Sequence, residues 1–171
     1  MKNKFKLIVI IAAFFCVGVS AQAPKIAHIN MQELVFAMPE YEEAMESLTR
    51  FAQDLENTLE ELQVERSRKI DEFQRLSETW SDLVRQTRAE EIQSMSQRIQ
   101  MFEQRAHSDV MQEQERLLQP IIEKAQAAIE VVAKEQDITY VISSDPQILV
   151  YKAANTIDLL PAVKRHMGIR E

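Results

Sequence analysis

Tyr41 to Leu62 reads YEEAMESLTRFAQDLENTLEEL, and its apolar residues fall at Tyr41, Met45, Leu48, Ala52, Leu55, Leu59 and Leu62. The steps between them alternate four and three. That spacing keeps one narrow apolar stripe on a helix, whereas a strand repeats every second residue. After a polar stretch at Arg66 to Lys69 the stripe resumes with Ile70, Phe73, Leu76, Trp80 and Leu83. It starts again with Ile92, Met95, Ile99, Phe102, Ala106, Val110 and Leu117. Between Glu40 and Gln119 there is neither glycine nor proline, and the filling residues (Glu, Gln, Arg, Leu, Met, Ala) favour helix. The whole of 39–136 is therefore expected to be helical, with Pro39 at the first helical position. The register slip at 66–69 fits either a bend or a polar layer, and periodicity does not decide between them.

A seam of this kind needs a partner helix. Thr87-Arg88-Ala89-Glu90 has the form of a capping box and lies near the middle of the stretch, so the chain is expected to reverse at 83–88. Two arms of about 45 residues, each roughly 70 Å long at 1.5 Å per residue, would then pack as an antiparallel hairpin.

The residues on either side of the hairpin follow a different pattern. Lys25-Ile26-Ala27-His28-Ile29-Asn30 alternates as a strand does, and Asn30 with Glu33 resembles a capping box that opens a brief helix from Met31 to about Ala37. After Asp137, Ile138-Thr139-Tyr140-Val141-Ile142 is β-branched and aromatic, and Ser143-Ser144-Asp145-Pro146 is turn chemistry. Ile148-Leu149-Val150-Tyr151 reads as a second strand, so 138–151 is expected to be a β-hairpin. Asn155 to Asp158 is a polar break, and a short helix from Leu159 to Met167 ends at Gly168. The fold class is thus mainly α, with a long helical hairpin at 39–136 inserted into a small β-rich body made of 22–38 and 137–171. About 50 residues make a thin core, and oligomerisation through Ile26, Ile29, Val141, Ile142, Leu149 and Val150 would complete it.

The N-terminus reads as an export signal. Lys2, Lys4 and Lys6 precede an apolar run from Leu7 to Val19, too short for a membrane span of about 20 residues, and Val19-Ser20-Ala21 supplies small side chains for cleavage after Ala21. The expected location is the periplasm. Cys16, the one cysteine, lies in this segment behind Phe14 and Phe15, which argues against lipidation. Removing residues 1–21 removes three lysines and takes the formal charge from −7 to −10. An acidic chain should not bind nucleic acid, and its direct binding to anionic lipid is doubtful.

Catalytic chemistry finds no foothold. His28, His107 and His166 stand on three separate elements with no metal-ligand spacing, and the glutamate pairs Glu42-Glu43, Glu60-Glu61 and Glu90-Glu91 read as a solvated helix face. No phosphate loop or nucleophile elbow is present, and no cofactor is expected. What could carry binding is pliable apolar surface. The methionines beyond the signal are Met31, Met38, Met45, Met95, Met101, Met111 and Met167, most of them at core-like spacing. Phe73, Trp80, Met95 and Phe102 are the candidate contacts on the arm. Charge is graded along it: 39–64 carries eight acids against Arg50, while seven acids balance seven bases over 65–100.

The two ends carry a resemblance. Ile129-Glu130-Val131-Val132-Ala133, running into Tyr140-Val141-Ile142, is similar to the helix-to-strand junction of the Skp/OmpH family of periplasmic chaperones. Val150-Tyr151 with Ile157-Asp158 fits its closing pattern, and Lys25 to Asn30 fits its opening strand. The resemblance implies a jellyfish-like homotrimer, a β-rich body with three arms around a cavity. It also implies ATP-independent holding of unfolded outer-membrane β-barrel proteins without enzymatic activity. The acidity is a departure, since the best-known members are basic. The rival reading is an exported coiled-coil scaffold or adaptor in the cell envelope with one folded partner.

Overall fold

A computed structural model describes residues 24–145 and 148–169. The expected signal, its cleavage site and Cys16 lie outside the described residues. Two long helices dominate. Helix α2 spans Pro39–Leu76 and helix α3 spans Asp82–Glu135, 38 and 54 residues respectively. At 1.5 Å per residue they are about 57 and 81 Å long. They pack against one another as the antiparallel hairpin that the seam predicts.

The reversal is not where the capping box put it. Helix α2 tightens into a single 3-10 turn at Ser77–Thr79, Trp80 is extended, and Ser81 starts α3 by accepting the Val84 N–H on its side-chain oxygen. The turn thus lies at 77–81 rather than 83–88. Thr87 is inside α3, where its hydroxyl donates back to the Leu83 carbonyl at 2.9 Å. A Ser or Thr can satisfy itself this way in any helix, so the S/T-x-x-E spacing carried no information about a helix start here.

The body is a three-stranded sheet with order β2-β1-β3, where β1 is Ile26–Ile29, β2 is Tyr140–Ser143 and β3 is Ile157–Asp158. Both outer strands run parallel to β1, with Ala27 opposite Val141 on one side and opposite Ile157 on the other. This corrects the expected β-hairpin. Ile148-Leu149-Val150-Tyr151 is not a strand, and the second C-terminal strand lies in what read as a polar break at 155–158. The long arm serves as the crossover between parallel β1 and β2, a connection that parallel strands require.

Short helices close the body. Helix α1, Met31–Phe36, opens with the Asn30 side chain accepting the Glu33 N–H at 3.1 Å. The Glu33 carboxylate pairs with Lys164 instead of reaching back to Asn30. Helix α4, Leu160–His166, ends in a turn with Gly168 at φ 73°, where the Ile169 N–H reaches the Lys164 carbonyl. Helix α3 ends in the same motif, with Asp137 in the left-handed region at φ 54° and the Ile138 N–H bonded to the Ala133 carbonyl at 2.9 Å. That turn aims the chain from the arm directly into β2.

The core lies between the inner sheet face and the helices. Ala27 and Ile29 of β1, Leu34 and Val35 of α1, Ala125, Ile129 and Val132 of α3, and Leu159 and Val163 form one buried cluster. A second, separate cluster of Leu62, Met95 and Ile99, backed by Leu59 and Phe102, holds the middle of the arm.

Candidate functional site

Two surfaces are built by this fold: the flanks of the arm and the outer face of the sheet. The arm is held along one line of apolar contacts, as the period dictates, so each helix leaves most of its circumference in water. At the root the helices are locked by small side chains, since Ala44, Ala125 and Ala128 are buried against Ile121 and Ile129. There Lys124 of α3 also pairs with Glu40 in the first turn of α2. The hydrogen bond from Lys124 holds the Glu40 carboxyl below its ordinary value. Beside this pair a groove of about 370 Å³ opens between Ala44, Leu117, Pro120 and Ile121. Pro120 sits inside α3 and cannot donate to the carbonyl one turn earlier.

Further out, the polar stretch at 66–69 forms a layer rather than a helix break. Lys69 reaches Glu91 across the seam at 3.4 Å, and Arg88 reaches the same carboxylate at 3.0 Å. These contacts, the Arg88 hydrogen bond first, hold Glu91 below its usual range. Helix α2 continues without interruption through this region. At the tip, Phe73 and Trp80 meet edge to face with ring centroids 5.8 Å apart, both half-buried.

The four arm candidates therefore divide. Phe73 and Trp80 close the tip and keep part of their rings in solvent. Met95 is buried in the mid-arm cluster and Phe102 packs against it, so these two side chains hold the helices together. The exposed apolar side chains of the arm are others: Val64, Met101 and Met111 along its length, Val131 at the root, and Leu76, Leu83 and Val84 at the tip. Val64, Val84, Met101 and Met111 fall outside the three-four stripe, which was their signal in the sequence, whereas Leu76 and Leu83 lie on it and are exposed where the seam runs out at the tip. Val64 follows Leu62 by two, Met101 precedes Phe102, and Met111 follows Val110.

The body candidates divide in the same way, by alternation along the strands. Ile29 is buried in the core and Val141 packs against it. Ile26 and Ile142 point to the opposite face and are exposed, as is Tyr140, the register partner of Ile26. Leu149 is half-buried and Val150 is 99 % exposed. Ile148 and Tyr151, outside the strands, are exposed as well. His28 is the buried polar residue of this face: its Nε2 lies 3.1 Å from the Thr156 hydroxyl, which itself donates to the Ala153 carbonyl.

Nothing in either surface resembles a reaction centre. Among the described residues no cluster of three or more His, Cys, Asp or Glu could hold a metal ion, and no helix is long and apolar enough to cross a membrane. The three histidines stay apart, on β1, α3 and α4.

Residues 25–167 match the family described as outer membrane protein, OmpH-like. The chain belongs to that family. It is a chaperone family of the cell envelope, and its members are not enzymes. A crystal structure from Caulobacter crescentus, of a protein described as an OmpH-like outer membrane chaperone, is similar with a TM-score of 0.72 at 13 % identity. The similarity covers 88 % of this chain and 86 % of that one. At that identity the likeness is one of fold: the same long helical hairpin rooted in a small body. No curated protein matches in sequence.

Proposed function

We propose that this OmpH-like chain is an ATP-independent holding chaperone of the periplasm, exported by a cleaved signal. It keeps unfolded outer-membrane β-barrel proteins from aggregating before they insert. The working form is a homotrimer whose bodies join through the outer sheet face and whose arms surround the client.

The observation that carries this reading is the division of labour between the two surfaces. Ile26, Tyr140 and Ile142 on the outer sheet face, and Ile148, Val150 and Tyr151 in the segment that follows, leave six large apolar side chains exposed on a body of few residues, and exposed apolar surface of that kind marks contact with something else. The arms, by contrast, expose only scattered apolar side chains among many charges. A surface of that kind grips weakly at many points. Weak contacts made together inside an enclosure retain a client through effective concentration and still release it without ATP. The acidic root and neutral distal half suit the same role, because like charge discourages tight adhesion near the body.

The test is light scattering of an unfolded outer-membrane barrel protein diluted from urea, with and without this protein and without nucleotide. Suppression at about one trimer per client supports holding. A folded, oligomeric protein that leaves aggregation unchanged supports the scaffold or adaptor reading instead, and the search then turns to one folded partner.

A further inference from the structure

Thioether chemistry is distributed unevenly over this molecule. Among the described residues methionine is the only sulfur-bearing side chain. Met38 and Met95 are 1 % and 9 % exposed, and Met31, Met45 and Met167 pack against the body core. Met101 and Met111 are 52 % and 59 % exposed, and both stand on α3 outside the seam. At such positions a methionine does nothing for the fold. Its use is the contact it can make, since an unbranched, polarisable thioether adapts to whatever apolar group is laid against it.

We propose that Met101 and Met111 are oxidation sites through which peroxides loosen the arm's grip on a client, an inference that rests on the holding function argued above. The sulfur lone pair attacks one peroxide oxygen, the O–O bond breaks, and water leaves with the second oxygen. The sulfur is oxidised by two electrons to the sulfoxide, and the peroxide is reduced. Sulfoxide formation converts a flexible apolar contact into a polar, chiral one, and a thiol-dependent sulfoxide reductase reverses it with two electrons and two protons. The fold is largely insulated from this reaction because Met38 and Met95 are buried and Met31, Met45 and Met167 are only partly open to solvent. Oxidation therefore changes the binding surface and leaves the arm standing.

The experiment treats the purified protein with dilute hydrogen peroxide, removes the oxidant with catalase, maps the sulfoxides by peptide mass spectrometry and repeats the light-scattering assay. Met101 and Met111 should oxidise at least about tenfold faster than Met38 and Met95. The helical circular dichroism should be unchanged. The amount of protein needed to suppress aggregation should rise about threefold or more as two apolar contacts are lost. The double variant Met101→Leu, Met111→Leu keeps similar side-chain volume, cannot form sulfoxides and should hold clients equally well before and after peroxide. The inference is overturned by equal oxidation rates at exposed and buried sites. It is also overturned by full holding after both sites are oxidised, or by loss of holding in the leucine variant that matches the native protein. Failure of the unoxidised protein to hold clients overturns the chaperone reading itself, whereas holding that survives oxidation overturns this inference alone.

Discussion

Replacing Ile99 with alanine separates the arm from the body energetically. Ile99 is 4 % exposed and sits in the mid-arm cluster with Leu62 and Met95, each 9 % exposed. No residue of this cluster belongs to the body core. Truncating a buried isoleucine to alanine costs about 2–5 kcal/mol, the range reflecting how far the surroundings collapse into the space. A seam one side chain wide has solvent on both flanks and can close in, so the cost should fall at the low end, about 2 kcal/mol. At about 1.4 kcal/mol per factor of ten, this opens the distal arm roughly 30-fold more often. Native-state hydrogen exchange read by mass spectrometry measures it directly. Peptides covering 55–66 and 92–106 should exchange roughly 30-fold faster in the variant. Those covering 121–133 and 159–163 should be unchanged. An equal acceleration in the body would refute the reasoning, because it would mean that arm and body open as one unit. No acceleration in the arm would also refute it, because the cluster would then not be what holds the two helices together.

The position of the turn can be tested by capping: Ser81→Ala should lower stability by about 0.5 kcal/mol, a small loss because the bond it removes is long, while Thr87→Ala should be neutral or slightly stabilising. Thermal unfolding compares the two, and a larger loss for Thr87→Ala would return the helix start to 87. The Glu40–Lys124 pair should contribute about 0.5 kcal/mol or less, since both side chains are about half exposed and screened. A carboxyl held below its ordinary value of 4.5 stabilises the fold above that pH, and the contribution is lost as pH falls through the folded value. Lys124→Met should therefore weaken the protein at pH 7, with the difference shrinking in urea titrations as the pH is taken progressively below 4.5. Leu34→Ala, at a site with 0 % exposure, should cost about 3–4 kcal/mol and lower the urea midpoint of the body. Tyr140→Asp with Ile142→Asp should abolish self-association measured by size-exclusion chromatography with light scattering while leaving the helical signal intact. Unchanged mass would move the proposed interface elsewhere.

The hairpin was legible because its signal repeats. A three-four alternation kept over many turns has few structural meanings, and α2 begins at Pro39 as the sequence indicates. The tip was misplaced because one short motif has many meanings: Thr87 and Glu90 satisfy the capping pattern inside an uninterrupted helix, while Ser81, the real cap, has Val84 three residues on. The sheet was read in part. β1 and β2 carry enough alternation to be seen. β3 is two residues long and pairs with a strand 130 positions earlier, Asp158 lying opposite His28, so no local pattern could announce it. Ile148 to Tyr151 looked like a strand because it combines β-branched Ile148 and Val150 with Leu149 and aromatic Tyr151. In this chain those properties serve exposed surface, and β-propensity does not distinguish burial in a sheet from contact with something else. The same ambiguity explains the arm candidates: the stripe separates Met95 from Met101, but periodicity does not say which of the two serves the seam and which is left for other contacts, and the packing of the helices does.

Stiffness along the arm follows from the same packing. At the root, buried alanines bring the helices close, the Glu40–Lys124 pair links them, and the turn at Asp137 fixes α3 to the central sheet through β2. In the middle, three buried side chains hold the seam, and toward the tip one aromatic pair and the shared Glu91 contacts remain. Residues 81–90 are exposed without exception. Buried apolar contact is thus richest at the root, returns once in the mid-arm cluster and is absent beyond it, so local opening should be easiest at the tip. A holding protein benefits from that order. A firm root sets the direction of the arm and the geometry of any enclosure, while a loose distal half can follow clients of different bulk. A spacer joining two fixed points would need the reverse, with its far end as well packed as its near one. The gradient of burial therefore weighs against the scaffold reading on grounds independent of the sheet face, and the exchange rates along α2 and α3 measure it in one experiment.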